Sequence, residues 1–368
     1  MFNNDTATAP MLFDLKRARR ETPGCDHVMH LNNAAASLMP DSVLDAVFAH
    51  LRNEAMLGAY EAAAQAPVSS IFQSASSLLG CDPSEVAITD NATRSWNAAF
   101  NSVPLVTSDR ILVSRSEFVN SSLTLLQASQ RSGISIEVIP CDETGQLSVS
   151  HLRSMMDERV RLIVATHMPT NGGLVNPVAD IGQVAREWNC LYLLDASQSI
   201  GQIPINVKSI GCHMLSAPGR KYLRGPRGTG ILYVSNAIMD RLKVAESCQE
   251  AGTWPTFDQY IPHGDARRYE IGECSVALRP GLGAAIEYAL GWGIENIWDR
   301  VHTLGELMQH SLDVLVNGYA AIQHEITLGL NALIDSDIDI SHRFEKIAVE
   351  VVFRPANSFV RRATPLVE

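Results

Sequence analysis

The stretch "LSAPGRKYLRGPRGTGILYVS", residues 215–235, decides the reading of the fold. An apolar run breaks into a loop that gathers one lysine, three arginines and four glycines, and the chain then re-enters the apolar run "TGILYVS". This pattern supports two strands joined by a glycine-rich turn. A lone loop lysine is ordinarily a solvated charge. Here the glycines and prolines of "APGRK" and "RGPRGTG" hold the backbone in tight turns around Lys221, an odd setting for a flexible surface cation. The glycines do not follow the GxxxxGK[ST] order of a nucleotide loop.

The same alternation extends upstream. Strands are predicted at 85–90 ("EVAITD"), 110–115 ("RILVSR"), 135–140 ("SIEVIP"), 161–167 ("RLIVATH"), 190–196 ("CLYLLDA"), 212–217 ("CHMLSA") and 229–235. Helical patterns fill several gaps: "ATRSWNAAFNSV", "SSLTLLQASQRSG", "LSVSHLRSMMDE" and "PVADIGQVAREWN". Runs such as "YLLD" and "LIVA" are apolar throughout, so their strands are buried on both faces. The expected class is α/β: a mostly parallel sheet flanked by helices, with ligands beyond the carboxyl ends of its strands.

Nearer the N-terminus, "MPDSVLDAVFAHLRNEAML" predicts a helix capped by Asp41 or Ser42. Past residue 265, "GLGAAIEYALGWG" and "ENIWDRVHTLGELMQHSLDVLVNG" read as helices and "EKIAVEVVF" as a strand. The expected division is an extension over 1–27, a large α/β domain over 28–264 and a smaller α+β domain over 265–368. A chain of 368 residues, 46% hydrophobic and 19% charged, can bury one large core beside a smaller one. A formal net charge of −11 without a basic run argues against nucleic acid or an anionic membrane surface. No apolar run reaches the roughly 18 residues that span a bilayer, and "MFNNDTATAPMLFDLKRARRETPG" lacks the apolar middle of a signal peptide. Seven scattered cysteines with no CxxC pair give neither a disulfide framework nor a zinc site. They fit a reducing cytoplasm, and no metal is expected.

Polar residues at strand ends carry the chemistry. Asp195 closes the apolar strand "LYLLD", where an ionised carboxylate needs a cation or a helix N-terminus to meet it. Gln198, three residues on, reaches the same space. In "ITDNATRSWNAAF" a helix begins near Ala92 and Thr93, and its free N–H groups make an anion seat. "SRSEFVNSS" puts Phe118 at a strand end, and "THMPTNGGLVNP" puts Thr170 and Asn171 in a turn. Each has a bland alternative: core packing, an ordinary βα turn, a solvated loop. Together they describe a ligand with a phosphate, a flat ring, a ring nitrogen that wants a carboxylate and an aldehyde that wants a lysine. That ligand is pyridoxal 5′-phosphate (PLP). Lys221 is then the imine-forming amine, able to shed its proton in cationic, partly desolvated surroundings.

These motifs resemble the class V aminotransferase family of PLP fold type I, which includes cysteine desulfurases, isopenicillin N epimerase-like proteins and C–S lyases. The resemblance covers roughly residues 28–300, through "HLNNAAASLMP", "ITDNATRSWN", "SRSEFVNS", "ATHMPTNGGLVNP", "LLDASQSIGQIPINV", "GRKYLRGPRGTGILYV" and "RRYEIGECSVALRPGLGAAIEYAL". It implies Lys221 as the Schiff-base lysine and Asp195 as the partner of the pyridine nitrogen. Gln198 would bond the phenolic oxygen, and Phe118 would stand where the family stacks a histidine or another ring. Ala92 and Thr93 would seat the phosphate, with Arg220 in the place of a phosphate-directed histidine. Thr170 and Asn171 span the position of a family asparagine, and the match does not decide between them. Substrate contacts are expected from Asn33, Ala34 and Arg227, and from Arg362 in "VRRATPLVE", which resembles an "RxSP" segment of a smaller domain that looks shortened. Family members build the site at a dimer interface, which implies a homodimer.

Several positions depart from the family. Pro218 replaces a phosphate-holding Ser or Thr, so Ser216 or Arg220 is expected to substitute. Gly272-Glu273 stands where many members have "GT". No cysteine follows Cys274, and Phe118 cannot move protons, which argues against desulfurase activity. The combination of "ATRSW", "GRKYLRGPRGTG" and "RRYE" looks most like the hercynylcysteine sulfoxide lyase branch. The expected reaction is β-elimination from a cysteine S-conjugate, giving pyruvate, ammonia and a thiol or sulfenic product. A PLP-dependent aminotransferase or epimerase of a small amino acid, and a non-catalytic PLP-fold binding protein, remain as alternatives. Among His30, His167, His213 and His263, His167 is best placed to assist as acid or base. Arg224 is read as a substrate or partner contact, or as an ordinary salt bridge.

Overall fold

The computed structural model describes residues 13–65, 68–170, 173–246 and 248–311. The chain divides into two compact units, Met1–Val301 and His302–Glu368. The first contains both the residues expected as an extension and the helix expected to open the smaller domain. The predicted strand "EKIAVEVVF", the end of the last predicted helix, and Arg362 lie outside the described residues.

In chain order the helices are α1 (Leu15–Arg20), α2 (Asp41–Leu57), α3 (Ala59–Gln65), α4 (Val68–Leu79), α5 (Ala92–Ser102), α6 (Val119–Ser132), α7 (Val149–Met155), α8 (Val178–Glu187), α9 (Val207–Ile210) and α10 (Leu278–Trp292). The strands are β1 (Val86–Thr89), β2 (Arg110–Val113), β3 (Ser135–Val138), β4 (Val160–Thr166), β5 (Leu191–Asp195), β6 (Met214–Pro218), β7 (Gly230–Val234), β8 (Gly252–Thr256) and β9 (Gln259–Pro262). Strands β1 to β7 form one sheet in the order β1-β7-β6-β5-β4-β2-β3. Only β7 runs antiparallel to its neighbours, so the expected mostly parallel sheet is present. All seven predicted strands fall on these seven.

The unbroken apolar runs are explained by two cores, one on each face. Along β5, Leu191 and Leu193 join Trp96, Phe100 and Leu125 of α5 and α6. Tyr192 and Leu194 point the other way, into a core built with α4, α7, α8 and α10. Each fully buried leucine side chain contributes about 1.5–3 kcal/mol to holding these layers together. Parallel neighbours need helical crossovers, which is why the helices lie over both faces.

Sequence reading misplaced or missed some local features. Helix α2 begins after Pro40, whose ring supplies no side-chain cap, and Asp41 is already its first residue. The β8–β9 hairpin was hidden by Pro255 and Pro262, residues that weaken a strand signal. Helix α4 was missed although Ile71, Phe72, Ala75, Leu78 and Leu79 recur at helical spacing and face the core.

Candidate active site

The parallel strands β2, β4, β5 and β6 all end on the same edge, and their loops wall a cavity of about 760 Å3. Register places Thr166, Asp195 and Ser216 side by side at these ends. Lys221 enters from the turn after β6. That turn is closed by backbone bonds from Gly225 N to Gly219 O (2.8 Å) and from Arg224 N to Lys221 O (2.9 Å). Gly201 lets it sit close: its φ is +84°, and a Cβ there would lie 2.7–2.9 Å from the Tyr222–Leu223 backbone.

Both side chains are buried, Asp195 at 5% exposure and Lys221 at 6%. Burial pushes the Asp195 carboxyl up, and a bond from Ser197 N (2.8 Å) and the attraction of Lys221 oppose that rise. Burial lowers the Lys221 ammonium; Asp195 opposes and Arg220 reinforces the shift. The two line the same cavity without forming an ion pair. The space between them therefore holds an acid short of a cation and an amine disposed to be neutral, which is what a protonated heterocycle and an aldehyde require. Phe118, 40% exposed at the start of α6, stands over this space with its ring centroid 5.8 Å from Lys221 Nζ.

Helix α5 turns its first turn toward the cavity. Asn91 caps it by accepting from Arg94 N (2.9 Å), and the N–H groups of Ala92 and Thr93 have no intrahelical acceptor. Both residues line the cavity. Gly230 makes room for this helix start, because a Cβ there would lie 2.6 Å from the Asn91 carbonyl carbon. Arg220 and Arg227 line the same cavity. Arg220 also donates through Nε to Ala35 O (3.1 Å) and accepts at its carbonyl from Ser37 N (2.9 Å), so it ties the 32–37 turn to the Lys221 loop.

Gln198 is 3% exposed and donates to Ala34 O (3.2 Å) and Thr170 Oγ1 (3.3 Å), while its buried Oε1 finds no partner among the described residues. The orphaned Gln198 oxygen, the buried Asp195 and the open helix start all border one space, and these residues fit pyridoxal phosphate.

Other expectations land elsewhere. Ser216 is fully buried, is absent from the cavity wall and leaves its Oγ unpaired, so it does not stand in for the hydroxyl missing at Pro218. Asn33 lines a second cavity with His30 and Arg224, not this one. Ala34 meets the site only through its carbonyl, which holds Gln198. Asn171 lies outside the described residues, leaving Thr170 on the wall. Arg224 is a structural tie: at φ 64° it donates to Leu38 O (2.9 Å) and Thr22 Oγ1 (2.5 Å). None of His30, His167, His213 and His263 is on the cavity wall. Burial lowers His167 to about 4, so it is neutral near pH 7, and its backbone N–H holds the Asp195 carbonyl (2.8 Å).

One wall residue escaped sequence reading altogether. Glu117 precedes Phe118, accepts from Ser114 Oγ, and accepts from Thr166 Oγ1 at 3.1 Å. Withdrawal from water and the nearby Asp195 push its carboxyl to about 7. Glu117 lies in the loop beyond Ser114, past the end of β2, so the strand-end rule that singled out Asp195 does not reach it.

A buried acid and a buried lysine at the carboxyl edge of a mostly parallel sheet, beside an open helix start, define a fold type I PLP enzyme. The family model for aminotransferase class-V matches residues 29–330, and the chain belongs to that family. Its cofactor is pyridoxal phosphate. The chain is 27% identical over 310 residues to a probable cysteine desulfurase of Methanothermobacter thermautotrophicus, covering 83% of this chain and 76% of that protein. Among solved structures it resembles the apo cysteine desulfurase of Thermococcus onnurineus NA1, with a TM-score of 0.74 and 21% identity over 81% of this chain and 76% of that one. It also resembles C-DES with glycine covalently linked to its PLP cofactor, with a TM-score of 0.75 and 21% identity over 80% of each chain.

Proposed function

We propose that this enzyme cleaves the Cβ–S bond of a cysteine S-conjugate by β-elimination, releasing pyruvate, ammonia and a thiol or, from an S-oxide, a sulfenic acid. The observation that carries the reading is a cavity lined by Lys221 and Asp195 but by no cysteine among the described residues. Among the described residues, then, no thiol borders the cavity to receive a departing sulfur. The desulfurase relatives support C–S chemistry; the hercynylcysteine sulfoxide lyase-like motifs support a bulky or oxidised sulfur substituent.

Bound in this cavity, pyridoxal phosphate supplies a ring that accepts the electron pair left on the substrate's Cα. The residues do the rest. The first turn of α5, with Arg220, binds the phosphate. Asp195 holds a proton at the ring nitrogen. Gln198, held by Thr170, would border the ring, and Phe118 would cover it and exclude water. Lys221 Nζ, whose affinity for protons burial lowers, takes the Cα proton. Arg227, on the cavity wall, binds the substrate carboxylate, and Arg362 is a second candidate.

A homodimer in a reducing cytoplasm suits the chain. Met29 and Leu31 are 89% and 85% exposed, and all seven cysteines are free. Among the described residues no helix is long and apolar enough to cross a membrane. The functional test is to mix the PLP-loaded protein with cysteine S-conjugates and their S-oxides and to follow pyruvate. Pyruvate formation that disappears in Lys221→Ala is expected. A yellow protein that yields pyridoxamine phosphate or a racemised amino acid, and no pyruvate, overturns β-elimination.

A further inference from the structure

We propose that Glu117 is a second acid of the ring-nitrogen site and a positioning residue that acts through Asp195: its proton sets how much negative charge stands behind the heterocycle. The proposal rests on the assignment of Asp195 to the ring nitrogen. Three features carry it. Glu117 lines the same cavity as Asp195 and Lys221. Its carboxyl is fastened to both neighbouring strands, accepting from Ser114 just past β2 and from Thr166 at the end of β4. Thr166 is the direct register partner of Asp195, so one threonine separates the two carboxyls across the sheet edge. The same clamp fixes the loop that carries Phe118, the next residue, so ring cover and ring charge are governed from one place.

The charged and titratable groups around Glu117 decide its direction of influence. Asp195 on β5 repels its ionised form. Asp90 at the start of α5 adds negative charge to the same wall. Lys221, Arg220 and Arg227 line the opposite loops. Tyr192 on β5 and His167 after β4 are both held neutral by burial near pH 7. A carboxyl pushed to about 7 is neutral in mildly acid solution and charged in mildly alkaline solution. In the neutral state Asp195 alone faces the ring nitrogen. In the ionised state a second negative charge strengthens the hold on a pyridinium. The amide of Glu117→Gln imitates the neutral form and keeps partners for both hydroxyls, so it separates charge from clamping.

The test uses the full apo chain and pyridoxine 5′-phosphate, which has an alcohol in place of the aldehyde and cannot bond covalently to Lys221. Its dissociation constant is measured by calorimetry for wild type and E117Q between about pH 5.5 and about pH 8.5, spanning the range in which Glu117 changes charge. Taking the ratio of the two proteins cancels the probe's own titration. E117Q is expected to match wild type at the acid end and to bind roughly three- to tenfold more weakly at the alkaline end, as one extra nearby charge requires. A second readout needs no ligand. A carboxyl raised in the folded state contributes stability below its unfolded value, and that stability is lost as pH rises through about 7. Apo wild type should therefore lose melting temperature relative to apo E117Q over that interval. A pH-independent ratio of dissociation constants overturns the proposal, as does a Glu117→Asp variant that behaves like E117Q despite keeping a titrating carboxyl. Failure of wild type to bind pyridoxine phosphate at any pH overturns the site assignment itself, a distinguishable outcome.

Discussion

At the scale of single residues, the site is held in tension by burial. Asp195 is buried with no ion-pair partner among the described residues and its carboxyl is pushed up by burial, so its ionised form destabilises the apo fold. Its raised value means that it favours folding only in acid and loses that contribution as pH rises through the folded value. Asp195→Asn keeps an acceptor for Ser197 N and removes the charge. We predict an apo D195N protein more stable than wild type by about 1–2 kcal/mol at neutral pH, read by urea unfolding. Its turnover should fall by about 100-fold or more, because nothing then holds a proton on the ring nitrogen. A variant that is both less stable and fully active would contradict this assignment. Lys221→Ala removes the amine outright, and purified K221A should lack the visible absorbance of lysine-bound cofactor.

At the scale of elements, the carboxyl edge of β4, β5 and β6 and the start of α5 place the chemistry, and the helices over both faces hold that edge still. The two jobs separate by mutation. Gly230→Ala drives a methyl toward the Asn91 backbone, so the first turn of α5 must shift. A stability loss of about 1–3 kcal/mol with weaker phosphate affinity is expected. Leu193→Ala, deep in one core, should cost about 2–5 kcal/mol yet leave the affinity of the folded protein unchanged; calorimetry with pyridoxine phosphate distinguishes the two. The strands were legible because "YLLD" and "LIVA" admit no polar face, and Asp195 because it ends such a run. Lys221 was legible from the turn residues that flank it. Glu117 was not, because its importance comes from Thr166 on another strand, and register across a parallel sheet is not written in local pattern. Ser216 misled as well: it was expected to replace the hydroxyl missing at Pro218, but it lies deeper along β6, fully buried and off the cavity wall. The α2 cap misled because Asp41 and Pro40 both suit a helix start, and only geometry separates them.

At the scale of the whole molecule, Met29, Leu31, Met56 and Tyr60 are exposed apolar side chains that the proposed homodimer could cover. Light scattering should return twice the 40.1 kDa of one chain; a mass of one chain at micromolar concentration would refute the homodimer. The central claim is that one amine among five lysines carries the cofactor opposite a buried acid. Borohydride reduction of the yellow holoenzyme, followed by proteolysis and mass mapping, tests it most directly. The account predicts a single pyridoxyl adduct on Lys221. An adduct on Lys16, Lys208, Lys243 or Lys346, or a protein that takes up pyridoxal phosphate with Lys221 unmodified, would contradict it.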